Sequence, residues 1–153
     1  MSIISGKFKV MIGFVLMVAT GGAFAGNDAG MVKDVKGTVM IERGGQKYSA
    51  KPASQVLVSD VVTTGPDSSV GITLHDGTLL TAGSNSTLTL NKFAFDSTTN
   101  KGALDASLKR GTLAVVSGKL SKSSPDAVTY RTPTSILGVR GTEFVLEAGP
   151  GGN

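Results

Sequence analysis

The sequence predicts an all-β fold with little helix, built either as a short-strand, β-solenoid-like roll or as a sandwich. Strand-like runs of roughly four to eight residues recur about every ten residues along most of the chain. The 21 glycines and several segments containing Asp, Asn or Pro separate these runs, as is typical of tight turns. After the first 25 residues, no stretch repeats apolar side chains with the period of a helix.

The first 25 residues have the features of a Sec-type signal peptide. Two lysines precede an apolar run at residues 10–19, and a small-x-small pattern ends at Ala25. This run is shorter than the roughly 20 apolar residues that a membrane-spanning helix needs. The alternative to a cleaved signal peptide is an uncleaved membrane anchor. We therefore expect cleavage between Ala25 and Gly26, export to the periplasm or beyond, and only transient contact with the membrane. The absence of Cys excludes lipid attachment at an N-terminal Cys.

The predicted exported chain has one domain and a small net charge. A flexible start at residues 26–31 precedes the all-β domain at 32–147, and a flexible tail follows at 148–153. Loss of residues 1–25 removes two of the 15 basic residues, which leaves 13 against 11 acidic ones and lowers the net charge from +4 to +2. The basic residues are scattered, whereas nucleic-acid-binding domains usually cluster them on one face. We expect no nucleic-acid partner.

A hairpin is predicted near the middle of the chain. Residues 70–74 alternate in the manner of a half-buried strand, and a second strand-like run follows Asp76-Gly77. Asp-Gly between two such runs indicates a two-residue type I′ turn, because both central residues of that turn need a positive φ.

An irregularity is predicted in the next strand. Leu88 and Leu90 lie on the opposite parity from Phe93 and Phe95, so a bulge or bend at residues 91–92 would bring all four to one face. Loops are expected at residues 48–54 and 96–103. The other strands are predicted at residues 35–43, 56–64, 104–108, 112–116, 127–131 and 136–146.

A short echo runs through the chain, in which a polar residue is followed by Gly-Thr. It occurs at Gly37, Gly77, Gly111 and Gly141. Successive turns of a solenoid would produce such a recurrence, and so would the common use of Gly-Thr to open strands. The echo alone does not choose between these explanations.

The C-terminal segment at residues 131–144 resembles the TP-x-x-x-x-G-V-R-G-T-x-F motif of the FecR domain, named after the periplasmic iron-dicitrate sensor of cell-surface signalling systems. Asp76-Gly77 lies in a segment similar to the family's L-x-D-G-S/T motif, and the resemblance extends over residues 32–146. It implies an all-β domain, solenoid-like or sandwich-like, outside the cytoplasmic membrane, in which the motif residues are mostly structural, and it does not imply an enzyme. The C-terminal matches are Thr132, Pro133, Gly138, Val139, Arg140, Gly141, Thr142 and Phe144.

The signalling members of this family carry a sigma-factor-binding segment and a membrane helix before the FecR domain. Only nine residues precede the apolar run here, so the chain resembles the stand-alone exported members. We expect a binding or scaffold module of the periplasm or cell envelope, with an envelope protein or glycan as its partner. A component of a cell-surface signalling system is the first alternative, and an envelope polysaccharide hydrolase is the second.

Arg140 is the charged residue of greatest interest. In a continuous strand it would share the face of Phe144, and a buried guanidinium is costly unless it is paired. We therefore expect Arg140 to be a structural clamp that reaches carbonyl groups or the carboxylate of Asp60 or Asp76. An anion-binding or ligand-binding role is the alternative.

No catalytic, cofactor-binding or metal-binding site is predicted. Asp60, Asp67, Asp76 and Asp105 are interpreted as residues that stabilise turns. His75 is the single histidine, so a multi-histidine metal site is excluded, and a serine nucleophile has no other imidazole base. We expect His75 to be exposed to solvent.

Overall fold

The computed structural model describes residues 28–140 and 143–149, which are built almost entirely of strands. Of these residues 62% lie in strands and 6% in helices, which confirms the all-β class. The predicted signal peptide and its Ala25-Gly26 cleavage site lie outside the described residues. The helical pieces are α1 (Leu120–Ser123) and a 3-10 turn (Pro125–Ala127). The strands are β1 (Asp28–Lys36), β2 (Val39–Arg43), β3 (Gln46–Ser49), β4 (Gln55–Leu57), β5 (Val61–Thr64), β6 (Ser69–Leu74), β7 (Leu79–Ala82), β8 (Thr87–Asp96), β9 (Lys101–Val116), β10 (Val128–Arg131), β11 (Ile136–Gly138) and β12 (Glu143–Ala148).

The strands combine into four long arms that lie side by side. β1 continues into β2, β5 into β6 and β7 into β8 across short connections, and β9 is a single arm of 16 residues. Neighbouring arms are antiparallel throughout, in the order β1–β2, β5–β6, β7–β8 and β9. β3 and β4 flank the first arm, and β10 and β12 flank β9. The result is one curled sheet, a half-barrel whose two halves enclose a single core.

All four arms bend at the same level, along a row of hydroxyl side chains that we call the bend line: Thr38, Ser68, Ser84, Ser86 and Thr112. The backbone N–H of Thr38 donates to Ser68 Oγ at 2.9 Å, and Ser84 Oγ donates to the carbonyl of Ser68 at 3.1 Å. Farther along, the N–H of Thr112 donates to Ser86 Oγ at 3.0 Å. These bonds join each arm to the next, so the bend line holds the arms in register.

The inward-facing parity of β9 changes where it crosses the bend line. Leu108 is buried before the bend and Leu113 after it, although they are five positions apart, an odd spacing that would put them on opposite faces of a regular strand. Gly111 makes this change possible with a φ of +92°. A Cβ at Gly111 would lie 2.1 Å from Ser86 Oγ and 2.5 Å from Ser86 Cα, so this position admits only glycine without local rearrangement.

The bends account for most differences between the predicted and observed strands. The predicted strand at 35–43 is divided at Gly37, the one at 56–64 is divided into β4 and β5, and the one at 136–146 is divided into β11 and β12. Conversely, the runs at 104–108 and 112–116 belong to one strand, β9. β1 begins at Asp28, upstream of the predicted start of the domain, because Ala29 packs in the core. β12 ends at Ala148, which is also buried.

The predicted irregularity in β8 is confirmed as a bulge. The register with β9 passes over Asn91, so Leu90 pairs with Ala106 and Lys92 pairs with Asp105. As a result Phe93 is buried on the same side as Leu90. No helix among the described residues has the length and apolar character that crossing a membrane requires.

The predicted β6–β7 hairpin is confirmed, but its predicted turn type is wrong. The N–H of Leu74 donates to the carbonyl of Thr78 at 2.8 Å, so the loop contains three residues. Gly77 has a φ of +87°, whereas Asp76 does not have a positive φ. A three-residue loop needs only one such residue, at its last position, and glycine fills it.

Tyr130 packs in the core with its hydroxyl group buried. Its ring meets the ring of Phe144 edge-on, with the centroids 5.1 Å apart. The hydroxyl has no hydrogen-bond partner among the described protein atoms. Burial, followed by the negative charge of Asp76, raises the pKa of Tyr130 well above its ordinary value. The folded chain therefore holds this phenol in its neutral form at alkaline pH.

We predict that Gly111→Ala lowers the free energy of unfolding by at least about 3 kcal/mol, because a Cβ adds a clash with Ser86 to the cost of a positive φ. Gly44 is the matched control, since its φ of +57° carries the same conformational cost but no atom lies within 4 Å of an added Cβ. Gly44→Ala should cost about 1 kcal/mol. Urea unfolding measures both variants, and equal losses would contradict the role given to the bend line.

We predict that Tyr130→Phe preserves or raises stability at pH 8, by up to about 1 kcal/mol, because it removes an unpaired buried hydroxyl. Above pH 10 the unfolded wild-type chain ionises this tyrosine before the folded chain does, so the wild-type free energy of unfolding falls as pH rises. The advantage of Tyr130→Phe should therefore grow by about 1.4 kcal/mol per pH unit. Tyr48→Phe, at an exposed tyrosine, is the control. A pH-independent difference would contradict the burial of the phenol.

Candidate binding surface

The FecR-like motif lies at the surface, at one edge of the sheet. We call residues 131–140 the motif segment. β10 pairs with β9 on one side and with β11 on the other, so β11 is an edge strand. Between β10 and β11, the N–H of Thr132 donates to the carbonyl of Ser135 at 2.8 Å and closes the turn. Thr132 is half-buried, Pro133 and Gly138 are exposed, and Val139 packs against the core. Val139 thus anchors a segment that is otherwise displayed to solvent.

The prediction that Arg140 clamps the interior is wrong. Its side chain is 81% exposed, and its nearest carboxylate is that of Asp126, at 3.6 Å and also exposed. The prediction assumed one continuous strand from 136 to 146, but β11 ends at Gly138 and β12 begins at Glu143. Strand parity therefore says nothing about Arg140. Within the described parts of the chain the guanidinium group has one ion pair, which is exposed and therefore contributes little to stability.

The remaining C-terminal motif positions divide into one packed residue and two that lie outside the described part of the chain. Phe144 is half-buried and packs against the core beside Tyr130, which agrees with a structural role. Gly141 and Thr142 fall in the gap between the two described ranges.

The arginine that pairs with a buried carboxylate is Arg43. Its Nε and Nη2 donate to the two carboxylate oxygens of Asp60 at 2.9 and 2.7 Å, and the N–H of Leu57 donates to the same group at 2.8 Å. The hydrogen bond to Asp60 raises the pKa of Arg43. Sequence reasoning missed this pair, although parity contained the signal: Arg43 lies two residues after Ile41, on the face that Ile41 buries.

Asp76 joins the β6–β7 hairpin to helix α1. Its carboxylate accepts bonds from the N–H and the hydroxyl of Thr78 at 3.0 and 2.8 Å, and from the N–H of Leu120 at 3.2 Å. Leu120 is fully buried, so this link closes the core at the end of the arms far from the bend line. Asp76 thus connects the hairpin turn, which contains Gly77, to α1.

A polar network on the outer face of the sheet was not predicted. Arg131 Nε lies 3.1 and 3.0 Å from the two carboxylate oxygens of Asp105. The side-chain amide of Asn91 donates to Asp105 at 3.0 Å and to the hydroxyl of Ser107. The β8 bulge turns Asn91 outward, so the predicted bulge was the sequence feature that could have indicated this network. The network fixes β10, and with it the motif segment, to the body of the sheet.

Exposed apolar side chains concentrate on the short strands that follow β9 and at the end of β9 itself. Among the described residues, six large hydrophobic side chains are exposed, and four of them lie on β11, on β12 or at the end of β9 next to β12. Ile136 and Val145 are the most exposed, at 67% and 69%. We call this region, formed by β11, β12 and Val116, the terminal edge. Exposed aliphatic side chains on edge strands are candidates for an interaction site.

Two open concavities flank β11. One, of about 510 Å³, is lined by residues 131–136. The other, of about 480 Å³, is lined in part by Asp126, Thr129, Gly138 and Arg140. Together they offer apolar contact, exposed hydroxyl groups and the guanidinium groups of Arg131 and Arg140, which is an arrangement suited to non-covalent recognition.

The candidate acid–base residues are dispersed among structural contacts. Asp60, Asp76 and Asp105 accept the hydrogen bonds described above, and Asp67 is exposed in a turn with a φ of +50°. His75 is exposed, as predicted, with Nε2 3.1 Å from a carboxylate oxygen of Asp28. Within residues 28–140 and 143–149, no three acidic or histidine side chains come together as a metal site.

The comparisons with known proteins give one match. No curated protein and no solved structure is significantly similar to the chain. The model of the FecR protein family matches residues 60–152, more than half of the 153 residues. The matched region includes the Asp76-Gly77 hairpin, the polar network, the motif segment and β12. The chain is therefore a member of the FecR family.

Proposed function

We propose that this chain is an exported, non-enzymatic binding or scaffold module of the periplasm or cell envelope, which holds an envelope protein or glycan at its terminal edge. The observation that carries the proposal is the exposure of the motif segment. Pro133, Ile136, Gly138 and Arg140 all face solvent, although a purely structural motif would pack inward. Recognition of a partner gives these exposed residues a role.

The composition of the terminal edge supports this proposal. Ile136 and Val145 expose most of their side chains, and covering them with a partner removes apolar surface from water. Arg140 adds a guanidinium group. A carboxylate or phosphate group of the partner could replace Asp126 as its ion-pair partner. An aliphatic surface beside an accessible cation suits a protein or an acidic glycan.

The framework behind the terminal edge is rigid. The bend line holds the four arms in register, the Arg43–Asp60 pair fixes the connection between β4 and β5, and Asp76 fixes the far end. A rigid surface loses little conformational entropy when a partner binds. This is the property that a passive scaffold needs.

The non-enzymatic part of the proposal rests on family membership and on the carboxylates. A glycosidase needs two carboxyl groups about 5–9.5 Å apart across an open cleft. Asp60 and Asp76 are each 1% exposed, and their oxygens already accept structural hydrogen bonds. Asp60 and Asp76 are therefore not available to act as the acid and the base of a hydrolase.

A signalling component is the second candidate, and membership of the FecR family favours it. The two candidates differ in the fate of the first 25 residues. A periplasmic scaffold would begin at Gly26 after cleavage, whereas a membrane-attached relay would keep its N-terminal segment. The intact mass of the protein isolated from cells separates them.

We predict that Ile136→Ser/Arg140→Ala lowers capture of the envelope partner by about tenfold, because an apolar contact and an ionic contact are removed together. The measurement is quantitative affinity capture from envelope extracts, with partners identified by mass spectrometry. Lys47→Ala/Tyr48→Ser on β3, the edge strand at the opposite side of the sheet, is the matched control and should capture normally. Equal capture by both variants, or equal loss, would contradict a binding role for the terminal edge.

A further inference from the structure

The free edge of β12 differs from the other edges of the sheet. The edge strands β3, β4 and β11 contain four, three and three residues, whereas β12 contains six. β12 keeps a continuous register with β9 from Glu143 to Ala148, without a bulge. It also lacks Lys and Pro, which commonly protect edge strands from pairing. Among the described residues β12 pairs only with β9, so its outer edge is open to a further strand.

The side chains of β12 indicate which residue types a strand paired with its outer edge would have. Glu143, Val145 and Glu147 alternate on the outer face, and all three are exposed. Neither glutamate forms an ion pair within the described parts of the chain. Val145 lies opposite Ala114 and diagonally beside Val116, so an aliphatic side chain added next to it would extend an apolar patch.

The same pattern disfavours a second copy of this chain. Two β12 strands paired antiparallel about Val145 would place Glu143 of each copy opposite Glu147 of the other. Like charges directly opposite each other across strands are destabilising, whereas opposite charges are favourable. The acidic pair therefore opposes self-association and favours a basic strand.

We propose that β12 is the docking strand for an extended segment of a partner protein in which two basic residues flank an aliphatic residue, in the order Lys/Arg-x-aliphatic-x-Lys/Arg. The segment adds to the sheet edge through main-chain hydrogen bonds, and its basic residues pair with Glu143 and Glu147. Its alternate side chains lie toward the core side, beside Phe144 and Leu146, and are apolar. This inference rests on the proposed binding role and assigns it to a protein partner.

The test uses the exported chain and two fluorescent peptides, Ac-GTKVVVKTG-NH2 and the acidic control Ac-GTEVVVETG-NH2. We expect the basic peptide to bind at least about tenfold more tightly at low salt, with affinity falling as salt is added. Glu143→Lys/Glu147→Lys should reverse this preference. The control variant Asp34→Lys/Glu42→Lys has the same net charge and leaves β12 unchanged, so it should retain the preference. Hydrogen exchange should slow at residues 143–148 when the basic peptide binds.

Several results would overturn the inference. Equal binding of the two peptides, equal effects of the two variant pairs, or protection outside β12 would each contradict it, as would dimerisation of the chain through β12. The proposed function fails separately. If the β12 variant captures the envelope partner normally while Ile136→Ser/Arg140→Ala does not, the strand-docking inference is wrong and the binding role stands. Capture of a glycan alone would also reject a basic strand as the occupant.

Discussion

The structure depends on the hydrogen bonds of the bend line. Each arm must turn at the same level if the sheet is to enclose a core, and a turn in the middle of a sheet interrupts the ladder of backbone hydrogen bonds and leaves some backbone groups in need of other partners. The hydroxyl groups of Ser68 and Ser86 satisfy those groups from the neighbouring arm. Because each hydroxyl serves the next arm along, no bend can shift without disturbing its neighbour. The curvature is therefore a property of the whole sheet.

This constraint also explains why the terminal edge is open. After β9, the described chain contains no further continuous arm. β10 and β11 extend one half of the sheet, and β12 extends the other. The last complete arm is thus covered by short strands that leave their outer edges and several aliphatic side chains uncovered. Rigid arms and an incomplete final layer together present the surface to which we assign binding.

Local patterns in the sequence were informative where one strand or one turn decided the outcome. Alternation located the bulge at Asn91, and Asp76-Gly77 located a hairpin. The bends were harder to recognise because the Gly-Thr echo occurs both at the bend line, at Gly37 and Gly111, and in the hairpin at Gly77.

To predict which arginine pairs with a buried carboxylate, it was necessary to know where the strands end. Parity placed Arg140 inside only because a break after Gly138 was not visible, while the same argument applied to Arg43 would have placed that side chain on the buried face. The Ser86–Thr112 bond joins residues 26 positions apart, and no local pattern predicts such a contact.

The most direct test of a rigid bent sheet with a displayed motif segment is native-state hydrogen exchange, resolved by residue. The account predicts that the amides of Thr38, Ser86 and Thr112 exchange only through global unfolding. The amides of residues 134–138 should exchange orders of magnitude faster through local opening. Protection of the motif segment equal to that of the bend line, or rapid exchange at the bend line, would contradict it.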